Sequence, residues 1–216
     1  MKLAPLERLP TTWERAADVI RTGIFAGDFP PGVTLPEVEI ARRLQVSRNT
    51  ARDALRVLVN ERLLTYRAHR GVAVRTLGPS DVRDIYLMRR WFELAALDRL
   101  DRSPVDALAP IVSAAERAMV DERWGDVGTE NLNFHTALVA SMGSPRADRA
   151  FRQLMTELRL GFLAVRDQVT FHGPYVGRNR RILDLIADGD LDSARDELST
   201  YLDESERHVL EAVEGG

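Results

Sequence analysis

From Ser80 to about residue 211, apolar residues recur at helical spacing, and only short Gly, Pro and Ser breaks interrupt them. The spacing predicts helices near 80–101, 104–121, 124–142, 146–169, 174–188 and 190–211. The breaks fall at Ser103-Pro104, Trp124-Gly125, Gly143-Ser144-Pro145, Gly173-Pro174 and Gly189. So many amphipathic helices in series must bury their faces against one another, which is the architecture of an all-α bundle. A Leu-Gly-Pro-Ser stretch at 77–80 reads as the linker that precedes the bundle, with Ser80 as the cap of its first helix.

The chain before that linker has a different order. Thr11 or Thr12 can cap a helix with apolar positions Ala16, Val19, Ile20 and Ile24, ending near Gly27. Pro30, Pro31 and Gly32 break the chain, and a short helix from about Pro36 to Leu44 carries Val38, Ile40, Ala41 and Leu44. Ser47 can cap a third helix, from about Arg48 to Glu61. This helix has Ala51, Ala54, Leu55, Leu58 and Val59 on one side and Arg48, Asn49, Arg52 and Arg56 largely on the other. Leu63–Arg67 and Val72–Thr76 then read as a hairpin. Three helices and a hairpin make a winged helix-turn-helix. The expected fold class is therefore mainly α: a winged helix-turn-helix over 1–76, a linker over 77–80 and an all-helical domain over 81–216.

Charge divides along the same line. Residues 1–76 carry 13 Lys+Arg and 8 Asp+Glu, a net +5, whereas residues 77–216 carry 17 and 25, a net −8. The basic part is the candidate for binding phosphates, although nearly all of its cations are Arg, so position counts for more than number. No Cys is present, which excludes disulfides, thiolate metal sites and a Cys nucleophile. No apolar run is long enough to span a bilayer and the first ten residues lack a signal-peptide pattern, so the chain is expected to be cytoplasmic, with no membrane partner.

A helix-turn-helix reads DNA by placing the start of its second helix against base edges in the major groove. Here that helix begins Ser47-Arg48-Asn49-Thr50-Ala51-Arg52. Arg48 and Arg52 stand one turn apart and suit bidentate contact with guanine, while Ser47, Asn49 and Thr50 offer short polar groups for bases or phosphates. Pro31-Gly32 with Leu35 and Glu37, Ile40-Ala41, Val46-Ser47-Arg48, Arg52, Ala54-Leu55, Leu58 and Arg70-Gly71 together resemble the N-terminal domain of the GntR family of bacterial regulators. The resemblance implies that Arg48 and Arg52 contact double-stranded DNA and that Arg70 and Gly71 bring the wing to the minor groove. Asn49-Thr50-Ala51 replaces the family's Thr-Pro-Val, and Val38 stands where some members carry Arg, which implies a changed operator.

In the helical part, polar residues fall on apolar stripes. Arg89 lies with Val82, Ile85, Tyr86, Phe92, Ala96 and Leu100; Asn131 and His135 lie with Phe134, Leu138, Val139 and Met142. Asn179 shares a face with Ile182, Leu183 and Ile186, and Tyr201 shares one with Ala194, Leu198 and His208. Buried polar groups need partners, in each other, in water or in a ligand. Gathered from separate helices of one bundle, these residues predict a polar effector site. Arg89 fits either an anionic ligand or an internal pair with Glu93.

Met88-Arg89-Arg90 with Glu93, Asn131 with Phe134-His135, Ser144-Pro145, Ile182 with Gly189-Asp190, and Ala194 resemble the FCD ligand-binding domain of the FadR subfamily. Many such domains hold a divalent metal with an Asp or Asn and three His, and sense organic acids there. In this chain the family's second and third His positions fall on Asn179 and Tyr201, so neither a metal nor another cofactor is expected. His172 is assigned to a loop, and His208 lies two turns past the expected position.

The expectation is thus a homodimeric, effector-responsive repressor on a palindromic operator, and not an enzyme. Arg89, Asn131, His135, Asn179 and Tyr201 would bind the effector. The alternative, a helical metal-dependent enzyme with an accessory DNA-binding domain, lacks a readable nucleophile or paired carboxylates.

Overall fold

The computed structural model describes residues 10–67, 71–100, 104–165 and 167–215. The chain divides between Arg75 and Thr76 into two compact units. The first contains α1 (Thr12–Ala26), β1 (Thr34–Leu35), α2 (Glu37–Leu44), α3 (Arg48–Asn60), β2 (Leu64–Arg67) and β3 (Gly71–Val74). Thr11 caps α1 in a full capping box: its hydroxyl accepts from the Glu14 N–H at 3.4 Å, and the Glu14 carboxylate accepts from the Thr11 N–H at 2.7 Å. Gly27, at φ 86°, ends the helix in the left-handed conformation that glycine adopts without steric cost.

Ile20 and Ile24 of α1 and Ala51, Leu55 and Leu58 of α3 are buried. Arg21 ties the same two helices, donating to Glu61 at 2.9 and 2.7 Å. Val19 and Val38, expected on the buried stripes, are exposed, because Val19 lies one position from Ile20 and Val38 two positions from Ile40, which turns both away from the buried faces that those isoleucines set. The sheet is antiparallel in the order β1-β3-β2, with Thr34 opposite Ala73 and Thr65 also opposite Ala73. The two-residue β1 was not expected, since no period can be read in so short a strand. Ala68, His69 and Arg70 lie outside the described residues.

The second unit is helical: α4 (Pro79–Leu97), α5 (Val105–Val120), α6 (Trp124–Ala140), α7 (Pro145–Ala164), α8 (Gln168–Ala187) and α9 (Leu191–Glu214). α4 packs on α6, α7 and α9, while α8 packs on α5, α6 and α9. Ser80 is not the cap of α4. Gly78 is, with its N–H donating to the Asp81 carboxylate at 3.0 Å, so the helix begins with Pro79 at its first turn.

Gly173-Pro174 does not break the chain either, because α8 runs through both residues. Pro174 lies only two turns into the helix, and both it and Thr170, whose carbonyl it leaves without an in-helix donor, are exposed residues. His172 accordingly sits in a helix and is buried, not in a loop. Among the described residues no helix is long and apolar enough to cross a membrane.

Candidate functional site

The start of α3 is open to solvent. Ser47, in extended conformation, accepts from the Thr50 N–H at 3.0 Å, and the two hydroxyls lie 2.8 Å apart. Arg48 and Asn49 are exposed, and among the described residues Arg48 has no hydrogen bond or ion pair. Arg52 is held instead: its Nη2 lies 3.0 Å from a Glu37 carboxylate oxygen, and its Nε donates to the same group at 3.1 Å. The Glu37 carboxylate raises the pKa of the Arg52 guanidinium. The sequence pattern marked Glu37 only as a family match, with no sign of this pairing. Gly71 is exposed at φ 80°, a conformation that favours glycine at the tip-proximal end of β3.

The second site lies inside the helical unit. Arg89 and Glu93 of α4 and His135 of α6 are completely buried, and Asn131, Asn179 and Tyr201 nearly so. Arg89 Nε donates to Glu93 Oε1 at 2.8 Å, and the other carboxylate oxygen lies 2.6 Å from His135 Nδ1. A carboxylate accepts, so Nδ1 carries the ring proton. Tyr201 accepts from Asn131 Nδ2 at 2.6 Å, and its ring centroid is 4.8 Å from that of His135. The ring of Tyr175, one turn before Asn179, lies tilted against that of Tyr201 at the same 4.8 Å. The Arg89 guanidinium also lies over the Tyr86 ring at 4.8 Å.

These contacts leave four buried polar atoms without a hydrogen-bond partner: Arg89 Nη1 and Nη2, His135 Nε2 and Asn179 Oδ1. The two readings of Arg89 are thus not exclusive, since pairing with Glu93 uses one nitrogen and leaves the outer two. Burial raises the Tyr201 hydroxyl pKa well above the phenol range, so no phenolate is on offer.

The donor set does not fit the metal that FCD domains often hold. Among the described residues no three His, Cys, Asp or Glu side chains are placed to bind an ion. At the positions expected to ligate, only His135 is an imidazole, and the Arg89 cation lies within the same cluster. His172 Nε2 is 3.0 Å from Gln168 Oε1, and His208 Nδ1 is 2.7 Å from the Tyr175 hydroxyl, so neither completes a set.

Both buried histidines have a lowered pKa, which favours the neutral ring. Burial is the main cause in each case; at His135 it is opposed by Glu93 and aided by Arg89, and at His172 it is aided by Arg159, so that the His172 pKa falls to about 3. Unfolding lets each ring take up a proton near its ordinary value of about 6.5. Stability from the neutral rings is therefore complete above that pH and is lost as pH falls toward the folded values, by at most about 1.4 kcal/mol per unit for each ring. Denaturant titrations are expected to show stability falling between roughly pH 6.5 and 5, before most carboxylates titrate, with a shallower slope in His172→Gln. A flat profile over that range would contradict the assignment.

Comparison with known proteins follows the same division. The model for bacterial regulatory proteins of the gntR family matches residues 12–74, and the FCD domain model matches residues 84–204. An HTH-type transcriptional regulator of the TAR-I ttuE-ttuC' intergenic region of Agrobacterium vitis is 33% identical over 142 residues, 58% of this chain and 77% of that protein. A gluconate operon transcriptional repressor of Bacillus licheniformis is 29% identical over 136 residues, 61% of this chain and 56% of that protein. The crystal structure of a GntR transcriptional regulator from Rhodococcus sp. RHA1 superposes with a TM-score of 0.89 at 36% identity, covering 92% of this chain and 97% of that one. E. coli McbR/YncC shares the fold, with a TM-score of 0.77 at 16% identity over 93% of this chain and 98% of that one.

Proposed function

This chain belongs to the GntR family of bacterial regulatory proteins, in the branch that carries an FCD domain, and from that premise we propose that it is a homodimeric, effector-controlled repressor acting on a palindromic operator in the cytoplasm. As a family member it is a DNA-binding transcriptional regulator. Repression is the reading favoured by relatives such as the gluconate operon repressor.

The observation that carries the DNA-binding assignment is the exposed Ser47–Arg52 turn, with Arg48 free of partners among the described residues. Arg48 reads a base or phosphate directly. Arg52 does so by exchanging Glu37 for DNA, Ser47, Asn49 and Thr50 grip the adjacent backbone, and Gly71, with Arg70 outside the described residues, serves the wing. Arg48→Ala and Arg52→Ala are each expected to cost about 1–3 kcal/mol of specific binding. Mobility-shift titration on an operator selected from random sequence checks this, and unchanged affinity in both variants would remove the assignment.

The dimer forms through the outer face of α4. Leu87, Met88 and Trp91 are 53%, 38% and 72% exposed, at positions that share one side of the helix. Leu94 and Ala95 continue the strip, and Arg90, Asp98 and Arg195 flank it. An apolar strip with a charged rim is the anatomy of a protein interface. A second copy is the natural occupant, because a twofold axis across one helix brings the same residues together from both sides.

The effector, a small organic acid, binds at Arg89, Asn131, His135, Asn179 and Tyr201. The partnerless polar atoms there support this reading, since a buried polar group left unsatisfied is costly and a ligand relieves it. Binding, with no catalytic turnover, is the role this assigns to the helical unit.

A further inference from the structure

The chemistry of the open atoms at the Arg89 cluster allows a sharper statement, which rests on placing the effector there. Arg89 commits only Nε to Glu93, while Nη1 and Nη2, the two prongs at the end of the guanidinium, are buried and have no hydrogen-bond partner. Their spacing matches the two oxygens of a carboxylate, and a buried guanidinium holds such a group through two charge-assisted hydrogen bonds. Here the donor set does not fit an ion, and the charge at the cluster is a guanidinium.

The remaining open atoms are of the opposite kind. Glu93 fixes the His135 proton on Nδ1, so Nε2 presents a lone pair. Asn179 Oδ1 is a second buried acceptor with nothing donating to it. A simple carboxylate satisfies the prongs of Arg89 and leaves both acceptors dry. A hydroxyl on the ligand satisfies at least one of them. An ammonium would also donate, but it would sit near the Arg89 cation, opposite acceptors that carry no charge.

We propose that the effector is a hydroxy acid taken without a metal: the Arg89 prongs grip its carboxylate, and its hydroxyl donates to His135 Nε2 or Asn179 Oδ1. The two acceptors, to which no group of the protein donates, act here as selectors of the hydroxyl. An acceptor left unpaired in a buried site costs roughly a factor of 10 to 100 in affinity.

Calorimetric titration of the full-length dimer tests this with matched triples: lactate, propionate and alanine; malate, succinate and aspartate; 2-hydroxyhexanoate, hexanoate and norleucine. In at least one triple the hydroxy acid is expected to bind ten times or more tighter than both counterparts, with EDTA making no difference. Arg89→Lys keeps a cation beside Glu93 but loses the two prongs, and should weaken hydroxy acid binding at least tenfold. Asn179→Leu or His135→Phe should narrow the preference for the hydroxyl, and circular dichroism checks that each variant is folded.

Equal binding of a hydroxy acid and its deoxy counterpart, still weakened by Arg89→Lys, would overturn the hydroxyl claim and leave the site in place. Binding abolished by EDTA and restored by zinc, nickel or manganese would overturn the metal-free claim. Acid binding indifferent to Arg89→Lys, or no binding by any member of the three triples at millimolar concentration, would overturn both the inference and the placement of the site.

Discussion

Trp91→Glu is expected to turn the proposed dimer into monomers and to weaken operator binding by a factor of about 10² to 10⁴, the avidity that joining two reading heads contributes. Trp91 is 72% exposed on an outer face of α4 that it shares with Leu87 and Met88. Its replacement removes the largest apolar group of that strip. Across a twofold axis it also places two carboxylates close together in a desolvated interface, where like charges cost several kcal/mol. The side chain supports little of the protomer's own core, so the variant should keep wild-type helicity. Sedimentation at micromolar concentration and mobility shift on the same sample decide the matter. A variant that stays dimeric with unchanged DNA affinity would move the interface to another surface.

Arg89→Met is expected to destabilise the helical unit by about 3–5 kcal/mol, the usual result of removing one partner from a buried ion pair. For a chain of this size that corresponds to a fall of roughly 6–20 °C in the melting temperature. The loss comes mainly from what remains: Glu93 is fully buried, and only His135 is left to balance it. Two consequences separate this from a packing defect. Adding Glu93→Gln should recover more than half of the loss, since the amide oxygen still accepts from His135 Nδ1 and no buried charge persists. The gap to wild type should also narrow as pH falls below about 7, because Arg89 is one of the groups that keep His135 neutral, and without it the ring can take a proton and pair with Glu93. A double variant no more stable than the single one would show that the carboxylate is not the cause.

The two-unit plan was legible because each unit has its own signal: capped amphipathic helices followed by a hairpin in one, and long helical periodicity in the other. Ser47 as a cap and Arg89, Asn131, His135, Asn179 and Tyr201 as inward residues follow from spacing alone, since a stripe fixes which way a side chain points. Spacing says nothing about what an inward residue touches. That Arg89 spends one nitrogen on Glu93 and keeps two, or that Glu37 of α2 reaches Arg52 of α3, depends on side-chain geometry between elements. Pro174 misled in the other direction, because a proline near the start of a helix on its solvent side interrupts the sequence pattern more than the structure. Trp91 is an apolar residue on an otherwise polar face, which a pattern of polar residues on apolar faces does not pick out. The signal was Leu87, Met88 and Trp91 recurring one turn apart, opposite the buried stripe.

α4 is a continuous helix of 19 residues, and three residues separate it in sequence from the end of the DNA-reading unit at Arg75. Arg89 projects from its inner side and Trp91 from its outer side, about 3 Å apart along the axis at 1.5 Å per residue. A stiff rod has no means of moving one of these without the other. A ligand that draws Arg89 outward by even a fraction of a helical turn also rotates the outer face that carries Trp91, the face proposed to receive the second protomer. Induction by such a ligand would then need no relay of side chains, only the displacement of a single shaft.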